Sequence, residues 1–174
     1  MKGTIINCVG ELVCQRFGDD KWAEILERSG LEGDVKFMYT CDVGDRTVFR
    51  ILDNSCAVLG ISVAEVADAF GDHWINVYAG RIYKSYFAHL ASFEDFIKGL
   101  DSIHARVTSD IPNARPPRFE VFDVEPGVLR LNYISDRALV DFAAGLVRGV
   151  GRYFDIDVDV SVLSNGEIEV RIHE

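Results

Sequence analysis

No two cysteines in this 174-residue sequence are spaced as C-x-x-C, and none lies beyond residue 56. The four present, Cys8, Cys14, Cys41 and Cys56, match neither a zinc-ligand spacing nor a disulfide framework. Reduced thiols in a cytoplasmic protein fit best. Positive charge is scarce too: 18 Lys and Arg face 28 Asp and Glu, for a net charge of −10. Nucleic acid and anionic membranes are therefore poor partners, and a basic or mixed protein surface is a better one. No apolar run approaches the roughly 20 residues of a membrane span. The apolar stretch in MKGTIINCVGELVCQ is too short for a signal peptide and soon meets Glu11. Repeats and low-complexity segments are absent as well. The length leaves little room for a separate output domain, so a sensor of this size is expected to report to another protein.

What is present is apolar material: 48% of residues are hydrophobic and the mean hydropathy is +0.08. That suffices for a core and for an apolar pocket, in one domain or two intimate subdomains. The first two-thirds read as helix. Ile5, Ile6, Val9, Leu12, Val13 and Phe17 recur at helical spacing. A short helix fits DDKWAEILERSG, with Asp19 or Asp20 as cap and Gly30 as stop. Val48, Ile51, Leu52, Cys56 and Leu59 give another stripe, ended by Gly60. Ser62 with Glu65 makes a capping box, and Ser92 caps a long helix predicted to reach Ile111. Pro112, Pro116 and Pro117 close the helical territory.

Periodicity then changes to two. RFEVFDV and VLRLNYIS alternate around Glu125-Pro-Gly, and IDVDVSVL and EIEVRIH around Ser164-Asn-Gly166, so both pairs read as hairpins. Residues 138–154 form an amphipathic helix between them. The expected fold is α+β: an N-terminal helical lobe over residues 1–60, then a larger lobe over 61–174 with helices and a four-stranded antiparallel sheet.

Two features carry chemistry. His104 falls on the apolar stripe of the long helix, four residues after Leu100 and seven before Ile111. An imidazole there points inward, either as a core histidine bonded to a carbonyl or as a metal ligand. One histidine cannot hold a bare transition metal, which takes three or four protein ligands. It can hold haem iron, whose porphyrin already supplies four nitrogens. The second feature is Tyr133-Ile-Ser135-Asp-Arg137. On a strand these three donors share one face, either as a polar outer face or as a row that grips carboxylates. Haem, a flat apolar disc with two propionates on one edge, needs both features.

Taken together, MKGTI at the N-terminus, His104, the Pro116-Pro117 pair and the Tyr133/Ser135/Arg137 motif make the chain resemble the haem–nitric oxide/oxygen binding (H-NOX) domains, related to the haem domain of soluble guanylate cyclase, in their free-standing bacterial form. The resemblance implies haem b ligated by His104, with the propionates held by Tyr133, Ser135 and Arg137. It implies that Pro117 presses on the porphyrin, and that Ile5, Val9, Trp74, Tyr78, Phe142 and Leu146 form the distal wall. Members that hold oxygen carry a distal tyrosine nine residues after the motif tyrosine. Here that position is Phe142. A nitric oxide sensor that also binds carbon monoxide, with little stable oxygen binding, is the expectation, with Trp74 and Tyr78 as alternative donors. The resemblance further implies signalling to a histidine kinase or a cyclic-di-GMP enzyme, and no catalysis by this chain. Zinc is not expected, because the C-terminal part has no cysteine and His173 stands alone. His73 and His89 show no obvious partner. The rival readings are a peroxidase-type haem enzyme, which would want a polar distal pair, and a haem-free module binding a small molecule or helix.

Overall fold

The computed structural model describes residues 1–87 and 90–173. His89 lies outside the described residues. Helix α1 (Gly3–Phe17) opens the chain, and the MKGT start explains how. The first helical N–H groups lack intrahelical acceptors. Gly3 N donates to Cys41 O and Thr4 N to Tyr39 O, both at 3.0 Å. The loop carbonyls approach so closely that a Cβ on Gly3 would overlap Met38 O. Only glycine permits that crossing.

Helix α2 (Asp19–Arg28) follows a Gly18 whose φ is +95°. Gly18, rather than Asp19 or Asp20, is the N-cap, and both aspartates sit in the first turn, where they complement the helix dipole. Helix α3 (Asp45–Leu59) ends at Gly60 with φ +67°, as its stripe predicts. These helices share a core that includes Ile6, Leu12, Ile25, Leu26 and Ile51, but that core also draws in Phe70 and Tyr78 from beyond residue 60.

Helix α4 (Val63–His73) carries the predicted capping box: Glu65 N donates to Ser62 Oγ at 3.2 Å and Ser62 N to Glu65 Oε2 at 2.8 Å. It runs into a π-helical turn at Trp74–Tyr78, then the short α5 (Ala79–Ile82) and α6 (Lys84–Phe87). The wider turn inserts a residue and re-aims the side chains around it. Ser92 caps α7 (Phe93–Thr108) through Asp95 N at 3.1 Å. This helix stops three residues before the predicted end. Its last turn unwinds through Ile111 N to Thr108 O and Ala114 N to Ile111 O.

Strands β1 (Arg118–Glu125), β2 (Val128–Ile134), β3 (Val158–Val162) and β4 (Ile168–Ile172) form one antiparallel sheet in the order β1-β2-β4-β3. Gly127 (φ +74°) and Gly166 (φ +83°) turn the two hairpins. Between them runs α8 (Val140–Phe154). Sheet, α7 and α8 share a second core around Phe96, Ile97, Leu131, Val147, Ile168 and Val170. Trp74 and Leu146 pack against both cores.

Helices α4 and α8 meet backbone to backbone. A Cβ on Gly71 would overlap Gly145 O, one on Gly145 would overlap Ala67 O, and one on Gly149 would overlap Gly71 O. Arg148 to Asp68 and Arg152 Nε to Asp72 Oδ1 (2.8 Å) flank the crossing. No single described helix is long and apolar enough to cross a membrane. The α3 and α4–α5 segments pass such a test only as a pair bent by 107°.

Candidate functional site

Between the two cores lies a cavity of about 280 Å³. One water needs roughly 10–15 Å³ measured the same way, so the space is ligand-sized rather than a packing defect. Its walls include Ile5 and Val9 from α1, Phe70 from α4, Trp74 from the π turn, and Phe142 and Leu146 from α8. His104, Pro117, Tyr133, Ser135 and Arg137 also line it. Of the eleven residues expected at the site, the structure brings ten to this cavity. Tyr78 is the exception: it is buried and stacks on Trp74 at 5.5 Å, and Trp74 supplies that part of the wall.

His104 lies in the last turns of α7. Its Nδ1 is 3.2 Å from Pro117 O. A carbonyl can only accept, so Nδ1 carries the proton and Nε2 keeps a lone pair. No described residue bonds Nε2. Burial pushes the imidazole pKa below its ordinary value, and the Pro117 bond only partly opposes this. The ring is therefore neutral at neutral pH, in the tautomer a metal ligand needs. Arg118 fixes the neighbourhood: its guanidinium forks onto Asp101 of α7 at 2.6 and 2.7 Å, and Asp101 also accepts Phe119 N at 3.2 Å. The start of β1, and with it Pro117, is locked against α7. The expected apolar stripe of α7 divides accordingly. Phe93, Phe96 and Ile97 are core, whereas Val107 and Ile111 face the cavity.

At the polar end the expected row of donors on one strand is not formed. Strand β2 stops at Ile134, so only Tyr133 stands on it. Ser135 Oγ accepts from Arg137 N at 3.2 Å, folding the chain into a turn, and Ala138 follows at φ +47°. Hydroxyl–backbone bonding of this kind competes with a strand ladder. Arg137 nonetheless reaches the cavity. Its Nε lies 3.0 Å from both Asp45 oxygens and its Nη1 donates to Arg115 O at 2.8 Å. Its Nη2 has no partner among the described residues, which leaves a donor for a carboxylate. Asp45 also accepts from Met1 N at 2.9 Å. That bond first, then Arg137, holds the Asp45 carboxyl below its ordinary range.

The opposite wall is aromatic. Trp74 stacks between Phe70 (5.7 Å) and Tyr78, and Phe142 meets Phe70 edge-on at 5.8 Å. Thr4 Oγ1 and Tyr78 Oη are buried, and neither has a well-formed hydrogen-bond partner among the described residues. Several residues around this site give no sequence signal. Tyr83, Lys2 and Asp42 line the cavity, and Asp45 grips Arg137 across 92 residues of chain. Asp45 reads in sequence only as an acid at a helix start.

His73 has a partner after all. It is 4% exposed, and its Nε2 lies 2.9 Å from Glu11 Oε1. Arg81 Nη2 also donates to Glu11, at 2.6 Å to each oxygen. All four cysteines are free. Burial raises the Cys8 and Cys56 thiols, and burial with Asp19 pushes Cys14 up to about 11. Such thiols stay protonated and unreactive at neutral pH. His173 pairs with Asp159 at 2.9 Å. Among the described residues no three His, Cys, Asp or Glu side chains converge as a metal site.

A family model described as haem-NO-binding matches residues 2–162. The chain belongs to this family, the H-NOX domains. Solved H-NOX domains share its fold. A Cs H-NOX variant with 4-cyano-L-phenylalanine at site 5 superposes with a TM-score of 0.88 at 25% identity, covering 100% of this chain and 97% of that one. An oxygen-binding H-NOX domain related to soluble guanylate cyclases gives 0.81 at 25% identity, with coverage of 100% and 96%. Among curated proteins, the soluble guanylate cyclases gcy-37 and gcy-32 of Caenorhabditis elegans are 28% and 27% identical, over 92% and 99% of this chain. The chain spans about a quarter of their length, 23% and 26%. H-NOX domains are haem-binding sensors, not catalysts themselves. The cavity suits that group: a neutral imidazole with a free lone pair, apolar walls, and a guanidinium and hydroxyls at one end.

Proposed function

We propose that this H-NOX domain binds haem b through His104 and reports nitric oxide to a separate protein. The observation that carries the proposal is the His104 Nδ1 to Pro117 O bond, which leaves Nε2 unprotonated against the cavity. Tyr133, Ser135 and the free Nη2 of Arg137 hold the propionates, Pro117 abuts the ring, and Ile5, Val9, Trp74, Phe142 and Leu146 line the gas side. Haem held by His104 would supply a ferrous iron able to bind nitric oxide or carbon monoxide within the wall of Ile5, Val9, Trp74, Phe142 and Leu146.

Selectivity follows from the wall. Retaining oxygen needs a donor aimed at its outer atom. Phe142 offers none, and Tyr78 stands behind Trp74, so of the two alternative donors only Trp74 is on the wall. Signalling follows from the tether. If a tether at His104 were released, the end of α7 would be freed and the lobe of residues 1–60 would be able to rotate against residues 61–174. A ligand shifts this equilibrium only by its difference in affinity for the two states, and loss of the histidine bond supplies one. By the family resemblance the receiving protein is a histidine kinase or a cyclic-di-GMP enzyme. In the curated relatives, soluble guanylate cyclases by name, a domain of this kind accompanies a cyclase. We assign the domain no zinc and a cytoplasmic location.

The test is the absorption spectrum of the reduced protein under argon, in air and with nitric oxide. The expected result is a haem spectrum that nitric oxide changes and air leaves as it is under argon. Colourless protein after haem supplementation would overturn the haem assignment. A stable oxygen spectrum in air would overturn the selectivity.

A further inference from the structure

The segment from Pro112 to Pro117 joins the helix of His104 to β1, and it is pinned from three sides. At one end Lys2 Nζ donates to Pro112 O, to Asp42 Oδ1 at 2.6 Å and to Thr40 O at 3.3 Å. Asp42 Oδ2 accepts from Asn113 Nδ2 at 3.3 Å. Asn113 adopts the left-handed conformation, φ +57°. Asparagine tolerates that region better than most residues, and its side-chain bond adds a reason to stay there. In the middle Arg137 Nη1 holds Arg115 O at 2.8 Å. At the far end Pro117 O accepts His104 Nδ1. Lys2, Asp42, Asn113, Arg115 and Pro117 all face the cavity.

The clasp is more than a surface ion pair. The Lys2 side chain is 14% exposed, while Asp42 is 54% exposed. Lys2 and Asp42 are also bridged through their backbones. Lys2 immediately precedes α1, whose Ile5 and Val9 line the gas side. The Lys2 hydrogen bond, then that of Asn113, holds the Asp42 carboxyl below its ordinary range.

We propose that Lys2 and Asp42 are positioning residues for the His104 imidazole: by gripping Pro112 and Asn113 they act together with the Arg118–Asp101 fork to fix the carbonyl of Pro117 that orients Nδ1, and they carry movement between α1 and the histidine. This rests on the haem reading above. Lys2 and Asp42 act through five residues of pinned backbone. A displaced Pro117 carbonyl would turn the imidazole and re-aim the Nε2 lone pair.

The test uses the haem-loaded full chain with Lys2→Met, Asp42→Asn, the double variant, Lys2→Arg, and Lys98→Met. Lys98 pairs with Glu94 and Asp123 outside the cavity lining and serves as comparator. Two quantities are read: the iron–histidine vibration of the reduced protein, and the split of the nitric oxide form between histidine-bound and histidine-free. Lys2→Met and Asp42→Asn are each expected to lower the vibration and to raise the histidine-free share by about two- to fivefold, the scale of a partly exposed ion pair. The double variant should match the larger single change, because the two residues act as one unit. Lys2→Arg should keep most of the wild-type behaviour, and Lys98→Met all of it. If Lys2→Met and Asp42→Asn lower thermal stability but leave both readouts unchanged, the clasp is structural only and the inference falls. If the wild type shows no iron–histidine vibration, the haem reading falls first and takes the inference with it.

Discussion

At the residue scale, one bond does most to define the site. Pro117 O fixes the His104 tautomer, and burial keeps the ring neutral. The pH dependence has a definite sign. An unfolded histidine protonates near its ordinary value of 6.5, while the folded His104 protonates lower. Its stabilisation is complete above the unfolded value and is lost as pH falls from there toward the folded one. Haem retention, followed by absorbance during acid titration, should therefore be flat above neutrality and fall only in acid. Phe142→Tyr places a hydroxyl on the gas wall and should raise oxygen affinity by about one to two decades, the worth of one hydrogen bond of about 1–3 kcal/mol. Arg137→Ala should accelerate haem loss to a scavenger and leave gas selectivity as it was. The sequence shows His104 because an imidazole interrupts an apolar stripe, and Arg137 because it stands in an alternating row with Tyr133 and Ser135. It does not show Asp45, Lys2 or Asp42, whose meaning lies in contacts 38 to 110 residues away in the chain.

At the element scale, the legible features are those written in neighbouring residues. The Ser62–Glu65 box, the Ser92 cap and the glycine turns at Gly60, Gly127 and Gly166 stand where periodicity and turn chemistry place them. The π turn at Trp74–Tyr78 has no comparable signature, and it puts Trp74 on the cavity with Tyr78 behind it. The turn at Ser135–Arg137 was hidden for another reason: alternation suits a strand, but the Ser135 hydroxyl bonds its own chain two residues on. The α4–α8 crossing depends on glycines that sequence alone cannot assign to packing. Gly145→Ala would drive its methyl into the Ala67 carbonyl. Separation of the helices should cost about 1–3 kcal/mol, measurable by denaturant unfolding. Leu146 and Phe142 ride on the same helix, so the gas wall should shift with it.

At the scale of the whole molecule, two cores flank one cavity, with Trp74 and Leu146 in both. The switch from helical to alternating periodicity near Pro116 announces this α+β layout, and the hairpin turns announce the sheet. The strand order does not follow from them, because β2 meets β4 only through tertiary packing. A cavity of this size withholds contacts from both cores, so filling it should stabilise the fold. A ligand held a thousandfold above its Kd adds about 4 kcal/mol. For a chain of this length that corresponds to roughly 8–16 °C in Tm. Removing haem should lower the calorimetric Tm by that order, and adding it back should restore it.

The sharpest measurement is haem binding by His104→Gly, with imidazole titrated from zero. The wild type should hold haem without additive. The variant should lose it, and imidazole in solution should restore it by standing in for the missing ring. A variant that keeps haem as the wild type does, indifferent to imidazole, would show that the ring beside Pro117 is no ligand.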